Sequence, residues 1–88
     1  MKTFTKQPGD HLDYQINLTQ FLADGEEVED VEVEAPDGIE LSSVSIMPSR
    51  VKLWIKGGTD GENYHFQPRI KTRHRTKEVD LLIIVVEM

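Results

Sequence analysis

The chain offers few residues whose types and spacing could perform chemistry, and the first candidate is the glycine-rich segment 57–61, Gly-Gly-Thr-Asp-Gly. Glycine-rich loops bind phosphate when a Lys-Ser/Thr pair follows them and opens a helix, but here Glu62-Asn63-Tyr64 leads into a strand pattern. A calcium loop needs acids that alternate over about twelve residues and a closing glutamate, which Asp60 and Glu62 alone do not provide. The segment therefore predicts a structural turn rather than a phosphate or metal site.

The other potentially reactive side chains lack the partners that catalysis requires. On an alternating strand only His11 and Asp13 of the Asp10-His11-x-Asp13 segment would share a face, so solvated surface positions are expected. The acids of residues 24–37 have neither a paired base nor an apolar pocket that would raise a carboxyl pKa for acid–base work. The serines have no nucleophile-elbow context. We therefore predict a non-enzymatic protein with no catalytic residue, no metal and no cofactor.

Length and composition indicate one soluble globular domain, residues 1–88. The chain is 38% apolar and 30% charged, which is typical of globular proteins. Its longest apolar run, residues 81–86, is far too short for a transmembrane helix. No secretory signal pattern and no cysteine are present, which favours synthesis in a reducing cytoplasm. The net charge of −6 argues against nucleic acid as a partner, and no membrane partner is expected.

The charges are segregated along the chain. Residues 24–37 contain eight acids and no base, whereas residues 69–77 contain five bases, one histidine and no acid. Such segments can pair inside one molecule or stay solvated, or they can join one copy head-to-tail to the next and close a ring. The charged candidate interface residues are Glu27, Glu29, Glu32, Glu34, Arg69, Lys71, Arg73, Arg75 and Lys77.

Apolar residues recur at every second position in nearly every segment, which is the pattern of half-buried β-strands. The phase of this alternation slips at Ser42-Ser43, which indicates a bulge or a short break. Residues 81–86 are apolar on both faces, as expected of a central strand or of one covered by another chain. Six or seven short strands separated by turn residues predict an all-β fold, an antiparallel β-sandwich.

Tyr64 and the turn before it indicate which type of sandwich this is. In immunoglobulin-like domains a tyrosine two residues before a buried position bonds its hydroxyl back to the preceding turn, and Tyr64 has this spacing relative to Phe66. We therefore predict an immunoglobulin-like sandwich whose structural corner consists of Gly57, Gly58, Asp60, Gly61 and Tyr64.

Trp54 raises a separate question, because it lies out of phase with the apolar row Val51, Leu53 and Ile55. Either a local loop covers it, or it is an exposed aromatic anchor for a partner. We include it among the candidate interface residues.

Two segments resemble small tailed-phage virion proteins. Residues 6–28, KQPGDHLDYQINLTQFLADGEEV, resemble their opening, and residues 51–72, VKLWIKGGTDGENYHFQPRIKT, resemble their second half with its Gly-Gly-x-x-Gly-x-x-Tyr motif. The chain departs from the pattern at Asn17-Leu18, where Asp-Trp is common, and in the turn after Thr72, which has no glycine. This basic turn is expected to be adapted to a particular neighbour.

The resemblance to the phage fibre-tail adaptor, or Ig-like minor virion structural, family implies a function. It implies a non-enzymatic phage or prophage component that joins tail parts by protein–protein contacts. Its partners would be other tail or virion proteins, including copies of itself in a ring, and it would pass from the bacterial host cytoplasm into the virion. The alternative is an Ig-like carbohydrate- or host-surface-binding module that uses Trp54. A DNA contact through residues 69–77 is disfavoured by the net charge.

Overall fold

A computed structural model describes residues 2–87, which form β-strands joined by turns and loops. Within this range no helix is long and apolar enough to cross a membrane. The predicted all-β fold is therefore confirmed. The strands are β1 (Lys2–Lys6), β2 (Leu12–Asn17), β3 (Asp30–Glu32), β4 (Ile39–Met47), β5 (Arg50–Gly57), β6 (Asn63–Phe66), β7 (Arg69–Lys71), β8 (Thr76–Glu78) and β9 (Leu81–Val85).

The first layer is an antiparallel sheet with the strand order β2-β5-β4. Its central strand, β5, completely buries the side chains of Val51, Leu53 and Ile55, so the alternation in the sequence corresponds to an inner and an outer face. The pairing of β4 with β5 shifts register between Leu41 and Ser43, which confirms the predicted bulge.

The second layer is built on one long interrupted hairpin. Phe66 pairs with Leu81 and Arg69 pairs with Glu78, so the register is the same on both sides of the interruption. Pro68 has no N–H to donate, but its carbonyl accepts a hydrogen bond of 3.0 Å from the Val79 N–H. Strands β6 and β7 thus continue each other, as do β8 and β9. Strand β1 flanks this hairpin beside β9, and β3 flanks it beside β7.

Two details differ from the expectation of six or seven antiparallel strands. The described residues form nine strands, because Pro68 and the opposing residues 79–80 divide two of them, and seven remain when each interrupted strand is counted once. In addition, β1 runs parallel to β9. The alternation gave no signal for β1, because Phe4 is its only apolar residue.

The strand order supports the predicted immunoglobulin-like type without establishing it. With the interrupted strands counted once, the orders β2-β5-β4 and β3-β7-β8 correspond to the B-E-D and C-F-G orders of that sandwich. The structure is consistent with a β-sandwich, and the immunoglobulin-like assignment stays a prediction.

The core lies between the two layers. Leu81, Ile83 and Val85 of β9 are fully buried and face the inner row of β5. Strand β9 lies between β1 and β6, which confirms its predicted central position. Because burying one such side chain contributes roughly 1.5–3 kcal/mol, these rows carry much of the stability.

The molecule measures 42 × 19 × 17 Å and has two distinct ends. At one end the loop 18–29, the turn 48–49 and the turn 72–75 come together, because the N–H groups of Leu18 and Val28 donate to the carbonyls of Ser49 and Pro48. We call this the loop end. At the other end, the corner end, the glycine-rich turn 57–62 packs beneath Tyr64.

Candidate functional site

The residues of the predicted corner make structural contacts. Tyr64 is buried, and its hydroxyl accepts a hydrogen bond of 2.9 Å from the backbone N–H of Thr59 in the preceding turn. The Asp60 carboxylate accepts one of 2.9 Å from the Glu87 N–H, and the Gly61 N–H donates to the Val85 carbonyl at 2.8 Å. The turn is thereby bonded both to its own corner tyrosine and to the end of β9, where it joins the two layers.

Lys6 is a part of the corner end that sequence reasoning missed. This lysine, at the end of β1, is only 3% exposed, and its ammonium donates to the carbonyls of Gln7 at 2.7 Å and Gly57 at 2.5 Å. Burial lowers the pKa of Lys6, while the nearby Asp10 carboxylate and Tyr64 raise it. A lysine at the end of a short strand gives no sequence signal that it will be buried, because most lysines are exposed.

The two tyrosines of the core allow a matched test of the corner. We expect Tyr64→Phe to lower the free energy of unfolding by about 1–2 kcal/mol, because the Thr59 N–H would lose its acceptor. Tyr14→Phe removes a buried hydroxyl that has no hydrogen-bond partner within residues 2–87, so it should leave stability unchanged or raise it by up to about 1 kcal/mol. Urea denaturation followed by Trp54 fluorescence measures both variants. Equal losses in the two would contradict a stabilising role for the corner hydrogen bond.

The two oppositely charged segments meet within one chain. Strand β3 pairs with β7, so that Asp30 lies opposite Lys71 and Glu32 lies opposite Arg69. The Lys71 ammonium lies 2.5 Å from a Glu32 carboxylate oxygen, and Arg75 forms an ion pair with Glu26. The alternative of pairing inside the molecule is therefore observed for these two ion pairs. A contact between copies in a ring would therefore use the charges that these two ion pairs leave free.

Glu26 and Arg75 form a clasp between the two main loops of the loop end. The Glu26 carboxylate accepts hydrogen bonds from the Ala23 N–H at 3.0 Å, the Thr72 hydroxyl at 2.7 Å and the Arg75 Nε at 2.9 Å. The Arg75 guanidinium also donates to the Phe21 carbonyl at 2.9 Å and lies 4.2 Å from the centre of the Phe21 ring. The clasp holds the loop 18–29 against the turn 72–75.

The electrostatics of the clasp make it sensitive to acid. The hydrogen bonds from Arg75 hold the pKa of Glu26 at about 2 rather than 4.5, and those from Ala23 and Thr72 act in the same direction. Because the folded-state pKa lies below the unfolded-state value, this stabilisation is complete above about pH 4.5 and is lost as the pH falls through about 2.

We therefore expect Glu26→Gln to lower the melting temperature at neutral pH, and its difference from the unmodified chain to shrink as the pH falls from about 4.5 to about 2. Thermal unfolding followed by circular dichroism across this range measures the effect. The matched control is Glu27→Gln, because the neighbouring Glu27 is exposed and makes no side-chain hydrogen bond or ion pair with other described residues. A Glu26→Gln deficit that stayed constant down to pH 2 would contradict the clasp.

Beside the clasp lies an open groove of about 570 Å³ between the two loops. It is lined on one side by residues 23–27 and Glu29, with the free acids Asp24, Glu27 and Glu29, and on the other by Arg73, His74 and Arg75. Apart from Glu26 and Arg75, these charged side chains have no hydrogen bond or ion pair within the described part of the chain. The loop end thus presents free charges of both signs on loops that the clasp fixes in place.

The remaining candidate interface residues are dispersed along the same sheet. Arg69 and Glu34 line a second, smaller depression of about 320 Å³ together with Glu32, Val33 and Gln67. Lys77 is exposed on β8, and its ammonium lies 6.0 Å from the Phe21 ring. The structure thus brings Glu27, Glu29, Arg73 and Arg75 together at the loop end, and places Glu32, Glu34, Arg69 and Lys71 along β3, β7 and the segment after β3.

Trp54 lies away from the loop end, on the outer face of the first layer. Its indole is half-buried and meets the His11 ring edge-on, with the ring centres 6.1 Å apart. The His11 Nε2 is in turn 2.7 Å from the Ser42 hydroxyl. The sequence left open whether a local segment covers Trp54. In the structure, His11 provides part of that cover. The carbohydrate-binding alternative stays a prediction.

No group of three or more His, Asp or Glu side chains in residues 2–87 is arranged to hold a metal ion. Asp10, His11 and Asp13 are exposed or half-exposed, and His11 is engaged with Trp54 and Ser42.

Residues 6–84 match the sequence profile of a family described as podophage GP4 fiber-tail adaptor protein gp77. The chain belongs to this family. The match covers nearly the whole chain and confirms the resemblance seen in residues 6–28 and 51–72. It supports a structural adaptor role in a phage tail, in which the partners of a fibre-tail adaptor are other tail proteins. No curated protein shows significant sequence similarity to the chain.

Proposed function

We propose that this fibre-tail adaptor is a non-enzymatic virion protein that joins tail components through its loop end. The observation that carries the proposal is the Glu26–Arg75 clasp, because it fixes two loops that present free charges of both signs. Loops at one end of a sandwich are a common place for recognition, since a rigid scaffold positions them while leaving their side chains available.

The charge pattern indicates which kind of surface such a partner presents. Asp24, Glu27 and Glu29 line one wall of the groove and Arg73 the other, so a complementary surface carries a basic patch beside an acidic one. Charge complementarity of this kind determines register and suppresses wrong partners more than it adds affinity.

A neighbouring copy of the chain is one surface that meets this description. In a head-to-tail ring, the acids of residues 24–37 in one copy would face the bases of residues 69–77 in the next. Arg75 and Lys71 are engaged inside the molecule, so Arg73, Arg69 and Lys77 are the bases left for this contact. The ring is the form of assembly that the charge segregation favours, and the chain would reach it after synthesis in the bacterial host cytoplasm.

The test is incorporation of the chain into phage particles when variants are supplied in place of the unmodified protein. The variant Arg73→Glu reverses the free base of the groove and leaves the Glu26–Arg75 clasp intact, so it places an acid opposite the acids of residues 24–37 in a neighbouring copy. We expect it to fold but to be depleted at least about tenfold from purified particles, since like charges across an interface disfavour docking by several kcal/mol.

The control is Glu62→Lys, which changes an exposed charge in the turn 57–62 at the corner end. It should be incorporated like the unmodified chain. If the Arg73→Glu variant were incorporated normally, the loop end would not be the contact surface. If the unmodified chain were absent from purified particles, the adaptor role itself would be wrong.

A further inference from the structure

The free edge of β4 is an unprotected strand edge. Strand β4 pairs only with β5, and the backbone groups of residues 39–47 make no hydrogen bond to any other part of residues 2–87. In an antiparallel pair, alternate N–H and C=O groups of an outer strand point away from its partner. Such a row is a template for another strand, and proteins usually block it with charge, proline or a covering segment.

The sequence of β4 has little of that protection. Residues 41–47, Leu-Ser-Ser-Val-Ser-Ile-Met, contain no charge and no proline. The other strands at sheet edges contain charged residues, for example Lys2 in β1, Asp13 in β2 and Glu32 in β3. Protection of β4 is confined to its two ends, where Glu40 and the bulge at Ser42 on one side and the following Pro48 on the other leave residues 43–47 as one regular, uncharged segment.

The side chains of this segment are self-complementary. Val44 and Ile46 lie on the inner face, opposite the buried Leu53 and Val51, yet Ile46 is 43% exposed because no strand lies beyond it. Ser43 and Ser45 lie on the outer face and are exposed. The inner row is therefore apolar and incompletely covered, and the outer row is small and polar.

We propose that the β4 edge pairs two copies of this chain in antiparallel orientation, with the two-fold axis at Ser45. This register uses the whole regular segment, because Ser45 is its midpoint. It places Val44 of each copy opposite Ile46 of the other, and Ser45 opposite Ser45. The paired strands would join two three-stranded layers into one six-stranded sheet and cover Ile46 on both copies.

The uncharged, self-complementary sequence of residues 43–47 favours a second copy over a charged peptide as the occupant, because it offers such a peptide no charge to pair with. Each chain carries a net charge of −6, so copies repel wherever their acidic strands approach. Residues 43–47 form an edge at which two copies meet without opposing like charges. A contact of about five residues per copy is small, and the association is expected to be weak and reversible.

The experiment is sedimentation equilibrium of the purified full chain over a wide concentration range, with charge-swap variants at the axis. We expect a reversible monomer–dimer equilibrium for the unmodified protein. Ser45→Lys and Ser45→Glu should each raise the dissociation constant at least about tenfold, because each places two like charges directly opposite one another. An equimolar mixture of the two variants should associate again, because it pairs opposite charges.

Two controls make the result specific to β4. Thr5→Lys adds the same charge as Ser45→Lys to an exposed position of a different edge strand, β1, and should leave the equilibrium unchanged. Circular dichroism establishes that the Ser45 variants are folded. Association of the equimolar mixture shows independently that both variants can still pair through β4.

Three results would overturn the proposal. The first is a chain that stays monomeric at millimolar concentration, in which case the edge is left for a segment of another protein. The second is a dimer that both Ser45 variants retain at full affinity. The third is a salt-sensitive oligomer abolished by Arg73→Glu but not by Ser45→Lys, which would assign self-association to the loop end alone.

Discussion

Gly58→Ala is expected to destabilise the protein by about 3 kcal/mol, because two separate effects add at this position. Gly58 has a φ of +95°, a conformation that residues with a Cβ rarely adopt. A Cβ built there would also lie 2.8 Å from the Val85 Cγ2 and 3.3 Å from the Tyr64 ring. Val85 is fully buried and closely packed at the end of β9, so there is little room for it to move. Chemical denaturation measures the loss.

The matched control is Gly61→Ala in the same turn. Gly61 also has a positive φ, +87°, but a Cβ there would meet no atom within 4 Å. Its substitution is expected to destabilise by only about 1–2 kcal/mol, the conformational part of the effect. Equal losses at the two positions would show that Gly58 does not pack against Val85 and Tyr64, and would contradict the corner as described.

Lys6→Ala should be the next most disruptive change, with a loss of about 2–3 kcal/mol. Alanine removes both the buried aliphatic part of the side chain and the ammonium that binds the carbonyls of Gln7 and Gly57. Release of the buried charge offsets part of this loss. The expected readout is a lower denaturation midpoint, together with faster hydrogen exchange of the β1 amides.

Lys2→Ala provides the comparison, because Lys2 lies at the opposite end of β1 and is exposed. It is expected to change stability by less than about 0.5 kcal/mol. If Lys6→Ala were equally mild, Lys6 would not anchor β1 to the glycine-rich turn.

The strands of the core could be predicted because their residues repeat a simple period. Val51, Leu53 and Ile55 alternate with polar residues, and the structure buries all three completely. The bulge near Ser42 was visible for the same reason, since a bulge reverses the phase of the alternation. Local patterns of this kind depend only on which side of a strand faces the core.

The features that the sequence did not reveal all depend on contacts between distant segments. Strand β1 has a single apolar residue, and only the neighbouring β9 makes it a strand. Glu26 is one acid among eight in residues 24–37. It forms the clasp because it contacts Arg75, which is 49 positions away in the sequence. The burial of Lys6 likewise depends on the carbonyl of Gly57, 51 positions later in the chain.

The same separation explains why charge segregation was ambiguous. From the sequence, an acidic and a basic segment could equally meet in one molecule or in two. The pairing of β3 with β7 brings them together within one chain and uses Glu26, Glu32, Lys71 and Arg75 for that purpose. A charge-reversal test that includes Arg75 would therefore break the clasp as well as any contact between copies, which is why Arg73 is the informative residue.

These observations describe a molecule whose corner end stabilises the fold and whose loop end is available to partners. The glycine-rich turn is engaged by Tyr64, Val85 and Lys6, so few of its groups are left for an external ligand. The groove at the loop end has the opposite character, because most of its charged side chains have no partner among the described residues.

The most direct measurement is a cryo-electron microscopy reconstruction of the assembled phage tail at a resolution that shows side chains. We expect a neighbouring protein chain to contact residues 23–29 and 73–75, with its own charges opposite Glu27 and Arg73, while the turn 57–62 makes no contact outside its own domain. A reconstruction in which the loop end faces solvent, and the tail partners bind the corner end or the face that carries Trp54, would contradict the account.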